Sequence, residues 1–206
     1  MKRITRTFSV PALALSTLFT VSACGGDATD DPTSGSPAAE ADTAAEEHND
    51  ADVQFASGMI PHHQQAVTMS DMALEQGGPE VIDLAERIQA AQGPEIETMT
   101  GWLETWGEEV PEDIEGMDHM DHMDHMDMEG MMTPEDMDAL MNAEGTQFDT
   151  MWLEMMIEHH NGAITMSEDQ MANGQNPEAI DLAESIAESQ NAEIAEMEEL
   201  QEAATS

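Results

Sequence analysis

Apolar residues near the end of the chain recur at helical intervals: Ile180, Leu182, Ala183, Ile186, Ala187, Ile194 and Met197. That spacing gathers them on one side of a helix and does not alternate as a strand would. Start and stop signals mark the other helices. A first helix is expected from about Asp50 to Gln76, ended by Gly77-Gly78. Pro79 and Glu80 suit the opening turn of a second, which continues to about Trp106 with a kink expected at Gly93-Pro94. Thr133-Pro134-Glu135-Asp136 opens a short helix, and Gly145 separates it from the next long one. Asn173-Gly174 ends that helix, and Asn176 caps the last, with Pro177 at its first position. No stretch reads as a strand.

The long helices form two copies of one unit. Residues 81–99 read VIDLAERIQAAQGPEIETM, and residues 179–197 read AIDLAESIAESQNAEIAEM. The copies are offset by 97 residues before the interhelical loop and by 98 after it. Such a repeat is one supersecondary unit used twice. Two helical hairpins predict an all-α fold, an antiparallel four-helix bundle. Repeat one covers 50–107 and repeat two 133–203, within a domain expected over 48–203. Residues 108–132 link the halves and are expected to be mobile.

The N-terminus has a different character. Lys2, Arg3 and Arg6 precede a mostly apolar run from Val10 to Val21, too short for a stable membrane span. Val21-Ser22-Ala23-Cys24 resembles the lipobox of bacterial lipoproteins, which implies cleavage after residue 23 and a lipid on Cys24. The alternative is an ordinary secretory peptide cleaved near Ala23. Either way the protein is expected outside the cytoplasm, anchored to the bacterial cell membrane or secreted. Cys24 is the only cysteine, so disulfide and dithiol chemistry are excluded. Residues 24–47, acidic and lacking apolar periodicity, read as a flexible tether.

The chain carries 45 Asp and Glu against 4 Lys and Arg, a formal charge of −41. Loss of residues 1–23 would leave Arg87 as the only Lys or Arg. Such a surface repels nucleic acid and anionic lipid, so the only membrane contact expected is the lipid anchor. Acidity by itself serves solubility or salt adaptation and does not argue for a metal.

Chemistry enters with a second feature of the repeat. Residues 59–69 read MIPHHQQAVTM and residues 156–166 read MIEHHNGAITM. On a helix, Met59, His62 and His63 share one side, and Met69 lies nearly in line with His62 two turns on. Met156, His159, His160 and Met166 repeat the arrangement. Thioethers and imidazoles suit Cu(I) or Ag(I), which need only two to four ligands. Thioethers do not protonate, so such a site keeps affinity in acid where a histidine-only site loses it. Methionine on a helix face is also ordinary core packing; the paired motif, occurring twice, favours metal. Met99 and Met197 recur on the second helices, as do Gln92 and Gln190, Glu95 and Glu193, and they could complete sites across each hairpin.

The link holds a third cluster. Met117, Met120, Met123 and Met126 alternate with His119, His122 and His125, interleaved with Asp118, Asp121, Asp124 and Asp127. Core packing does not use this composition; His-rich and Met-rich tracts bind metal ions. Met128, Met131 and Met132 extend it. Its His and Asp would also admit Cu(II).

The doubled M-I-x-H-H-x-x-A-[VI]-x-M, followed by D-L-A-x-x-I, resembles the CopM-like family, long classed as a domain of unknown function. The resemblance covers roughly residues 48–203. It implies a ferritin-like four-helix bundle in secreted or periplasmic bacterial proteins, and copper or silver binding through Met59, His62, His63, Met69, Met156, His159, His160 and Met166. The expectation is a copper-binding lipoprotein that sequesters or delivers Cu(I), with no organic cofactor, no enzymatic activity and an unnamed copper donor or acceptor protein. The alternative is a non-metal envelope scaffold. A di-iron oxidase is disfavoured because no histidine has Glu three residues before it, and a zinc hydrolase because there is no His-Glu-x-x-His.

Overall fold

The computed structural model describes residues 47–112 and 128–204. The chain divides into two compact units, 1–35 and 36–206, of which the first lies wholly outside the described residues. The expected signal segment, Cys24, most of the tether and residues 113–127 of the link lie outside them as well. The described residues form five helices: α1 (Asp50–Gln76), α2 (Pro79–Trp106), α3 (Pro134–Met141), α4 (Thr146–Asn173) and α5 (Pro177–Ala204). None of the described residues is in a strand.

The ends are set by the residues that announce them. Asn49 caps α1 by accepting from the backbone N–H groups of Ala51 and Asp52, while the Asp52 carboxylate reaches back to the Asn49 N–H. Thr133 and Asp136 make the same reciprocal pair at the start of α3. Asn176 accepts from the N–H groups of Glu178 and Ala179 at the start of α5. Pro94 lies inside α2, which continues through it as one helix.

The four long helices make the expected all-α bundle. α1 packs on α2 and α4 on α5, and the hairpins meet mainly through α1 and α4. These two run antiparallel. Asp52, near the start of α1, meets the loop after α4, while Asp149, near the start of α4, meets the loop after α1. The Asp52 carboxylate is fully buried and accepts from Gln170 Nε2 (2.6 Å) and the backbone N–H groups of Gln175 and Asn176 (3.1 Å each). Asp149 accepts from the Gly78 N–H at 2.8 Å. The two aspartates are 97 residues apart, so each repeat closes the loop of the other.

The interior has two apolar clusters. One holds Phe55, Ala56, Met59, Ile60, Met99, Leu103, Ala163, Ala183 and Ile186. The other includes Met69, Leu84, Ile88, Phe148, Trp152, Met156 and Met197. Each buried Leu, Ile or Met contributes roughly 1.5–3 kcal/mol. Trp152 ties α4 to α1 by donating from its indole N–H to the Met69 carbonyl at 2.9 Å. Between the clusters every long helix carries polar residues at the same level: His62-His63 on α1, Gln92 and Glu95 on α2, His159-His160 on α4, Gln190 and Glu193 on α5.

Residues 128–132 were expected to belong to a mobile link. Instead they are fixed on the bundle. Gln65 grips Met132 twice, donating to its carbonyl (2.9 Å) and accepting from its N–H (2.7 Å), and Met132 is buried. Gly130 lies against Gly162 of α4. It adopts φ 83°, and a Cβ there would sit 2.9 Å from the Gly162 Cα, so only glycine fits.

Candidate metal centre

The repeat places two adjacent histidines on each of the central helices. Adjacent positions differ by about 100° around a helix, so the members of a pair point to different neighbours. His62 and His159 meet where α1 and α4 cross, with ring centroids 3.8 Å apart and planes inclined by 38°. His63 turns to α2, where its Nε2 lies 2.8 Å from Glu95 Oε2. His160 turns to α5, where its Nε2 lies 2.7 Å from Glu193 Oε2. All four imidazoles are fully buried.

A carboxylate only accepts, so Glu95 and Glu193 fix the shared hydrogen on Nε2 and leave Nδ1 with a lone pair. Nδ1 of His63 and of His160 has no partner within the protein, and neither does either ring nitrogen of His62 or His159. A carboxylate holding the far side of an imidazole is the usual support for a metal-ligating histidine. Other polar atoms of the interior are equally unmatched: both side-chain polar atoms of Gln92, Oε1 of Gln190, and the hydroxyls of Ser70 and Ser167. Each such atom costs about 1–3 kcal/mol if nothing satisfies it. Ring nitrogens and amides related by the repeat thus share a layer that apolar side chains would have filled at lower cost, and the two hydroxyls lie about two turns along α1 and α4 from it.

His62 and His159 are held neutral. Burial, then the neighbouring His63, pushes His62 down to about 3; the Glu129 backbone carbonyl beside it opposes this without meeting a ring nitrogen in hydrogen-bond geometry. His159 is driven well below its ordinary value by burial, with His62, His160 and His63 adding to the effect. Neutral imidazole is the form that binds metal.

The methionines arrange themselves across the copies rather than within them. Ten residues of helix rise about 15 Å, so Met59 and Met69 of one motif cannot reach the same ion. They lie on opposite sides of the histidine layer. Met59, Met99 and Met166 belong to one apolar side, and Met69, Met156 and Met197 to the other. Each side draws thioethers from both repeats. All six except the half-buried Met166 are fully buried.

Among the described residues, no three His, Cys, Asp or Glu side chains are gathered around a common point for a metal ion. Met117, His119, Met120, His122, Met123, His125 and Met126 lie outside the described residues. Sequence reasoning missed the aspartate clasps and the buried Ser70 and Ser167, although both pairs carry the 97-residue offset that would have found them.

No curated protein matches the chain. Solved structures do. A DUF305 fragment from Deinococcus radiodurans is 30% identical, with a TM-score of 0.65, over 74% of this chain and 96% of that one. CopM in its Cu(II)-bound form is 34% identical, with a TM-score of 0.60, over 73% of this chain and 95% of that one. CopM has also been solved in Cu(I)-bound and Ag-bound forms. A family described as a domain of unknown function, DUF305, matches residues 52–201. On that match, and on the shared bundle, the chain belongs to the DUF305 family.

Proposed function

We propose that this protein binds copper as Cu(I), and silver in its place, in the buried histidine layer between the two repeats. We further propose that it does so outside the cytoplasm, anchored through a lipid on Cys24, and that it sequesters the ion or passes it to another protein. No catalytic step is assigned to it. The observation that carries this reading is the set of four fully buried imidazoles, two of them backed by carboxylates, with six ring nitrogens unmatched by any protein group. Support comes from the thioethers on both sides of the layer and from CopM, solved with copper and with silver.

The test is an anaerobic Cu(I) titration against a competing chelator, using the full chain, a variant lacking 113–127, and His62→Leu/His159→Leu. Tight binding that survives the deletion and is lost in the histidine variant supports the reading. Tight binding lost with the deletion alone moves the metal to the Met/His/Asp tract.

A scaffold without metal is the second reading. It draws on Met59, Met69, Met99, Met156 and Met197, whose complete burial is what core packing also produces. No tight Cu(I) binding by the full chain, together with loss of helicity in the histidine variant, favours it.

A further inference from the structure

The two repeats differ at a position that bears on metal chemistry. Gly58 stands where the second copy has Met155, 97 residues further on. Met155 fills its place in the apolar cluster that also holds Met69. Gly58 fills nothing, and two sulfurs from elsewhere occupy the space above it. A Cβ on Gly58 would lie 3.5 Å from Met128 Sδ and 3.8 Å from Met166 Sδ. Met166 belongs to α4 and Met128 to the segment that leaves the Met/His/Asp tract. Both are half-buried, whereas the other motif methionines are sealed inside.

Met128 is held there by the chain that follows it. Gln65 fixes Met132 from α1, and Gly130 is pressed against Gly162 of α4. The next carbonyl along, that of Glu129, lies beside His62. Met128 is therefore the chain neighbour of a residue whose backbone lies beside a buried imidazole.

We propose that Met128 and Met166 form a two-sulfur site for a soft monovalent ion, Cu(I) or Ag(I), at the rim of the bundle beside the histidine layer. Its role as a station on the way to that layer rests on the function proposed above; the site itself does not. Two neutral thioethers satisfy an ion of low coordination number, and they bind it without releasing a proton. Hydrophobic packing alone would be served as well by leucine, which is close to methionine in volume. Gly58 leaves the space, and the glycine contact at 130 and 162 brings the second sulfur into it.

The test uses the full chain with 13C-labelled methionine methyl groups and Ag(I), which is not a redox partner for the protein. The Met128 and Met166 methyl signals are expected to move together along one binding curve. Met128→Leu should leave Met166 unmoved over the same silver range, and Met166→Leu should do the same to Met128. Histidine ring signals should still respond in both variants. Gly162→Ala, which removes no sulfur but blocks the seat of Glu129 and Gly130, should weaken silver at the pair by roughly tenfold or more. Far-UV circular dichroism verifies that each variant is helical. An unchanged Met166 response in Met128→Leu overturns the proposal, as does a histidine response with both methyls silent. Silent histidines with an intact methionine response support the pair and sink the proposed role of the layer.

Discussion

His62 and His159 face each other across the crossing of α1 and α4, with ring centroids 3.8 Å apart, fully buried and unmatched by any hydrogen bond within the protein. Two imidazoles in that position cannot both take up protons without repelling each other in a medium that screens poorly.

Acid should therefore unfold this domain through its histidines. His62 sits at about 3 in the folded chain against 6.5 in the unfolded one. Above pH 6.5 neither state holds the proton and the group has no effect. As pH falls below 6.5 the unfolded state takes up protons that the folded state refuses, and stability drops down to about pH 3. The slope is about 1.4 kcal/mol per pH unit for each such histidine. Urea unfolding between pH 7 and pH 5 should show a steeper loss for the natural chain than for His62→Gln/His159→Gln. Equal slopes would show that the rings protonate freely when folded.

The aspartate clasps should differ in strength. Asp52 is buried and serves one side chain and three backbone N–H groups, while the half-buried Asp149 serves Gly78 alone. Asp52→Ala is expected to cost about 3 kcal/mol and Asp149→Ala about 1 kcal/mol. Chemical denaturation of the two variants gives the comparison.

Glycines 58 and 162 should respond in opposite directions. Alanine at 58 meets only ordinary contacts and removes a helix-interior glycine, so Gly58→Ala should stabilise by about 0.5–1 kcal/mol. Alanine at 162 runs into the Glu129 backbone, so Gly162→Ala should release residues 128–132. Hydrogen exchange at the Met132 amide, protected by Gln65, reads this directly.

The carboxylates behind the histidines should matter to metal more than to folding. Glu95→Gln or Glu193→Gln keeps the shape but changes the acceptor that orients the ring. Cu(I) affinity is expected to fall roughly 10- to 100-fold, while the melting temperature moves little. A chelator competition assay measures the first and calorimetry the second.

Much of this arrangement can be read from the chain. Gly77, Pro79, Asn176 and Pro177 punctuate the helices because they act locally, through backbone geometry and single hydrogen bonds. The doubled histidine pair marks the layer because the repeat reports the same need twice. The grouping of the methionines is less direct. Met59 and Met69 lie on one face of one helix, yet that face is longer than any coordination shell, and only the partner repeat decides which sulfurs meet. The seating of Met128 is a matter of long-range fit. Gln65 and Gly162 occupy equivalent places in the two repeats but are different residues, and nothing near either one announces that a distant strand of chain will lie between them.

The aspartate clasps have a consequence for how such a molecule is put together. A single hairpin carries a carboxylate with no loop to close and a loop with no carboxylate to close it, and a second copy of itself supplies both. The bundle is thus a self-complementary pair joined end to end. Two identical chains would have to carry every substitution on both sides of their axis. One continuous chain is free of that rule, and its two sides have already parted: Asp52 carries the heavier clasp, and Gly58 has opened a place that Met155 keeps shut.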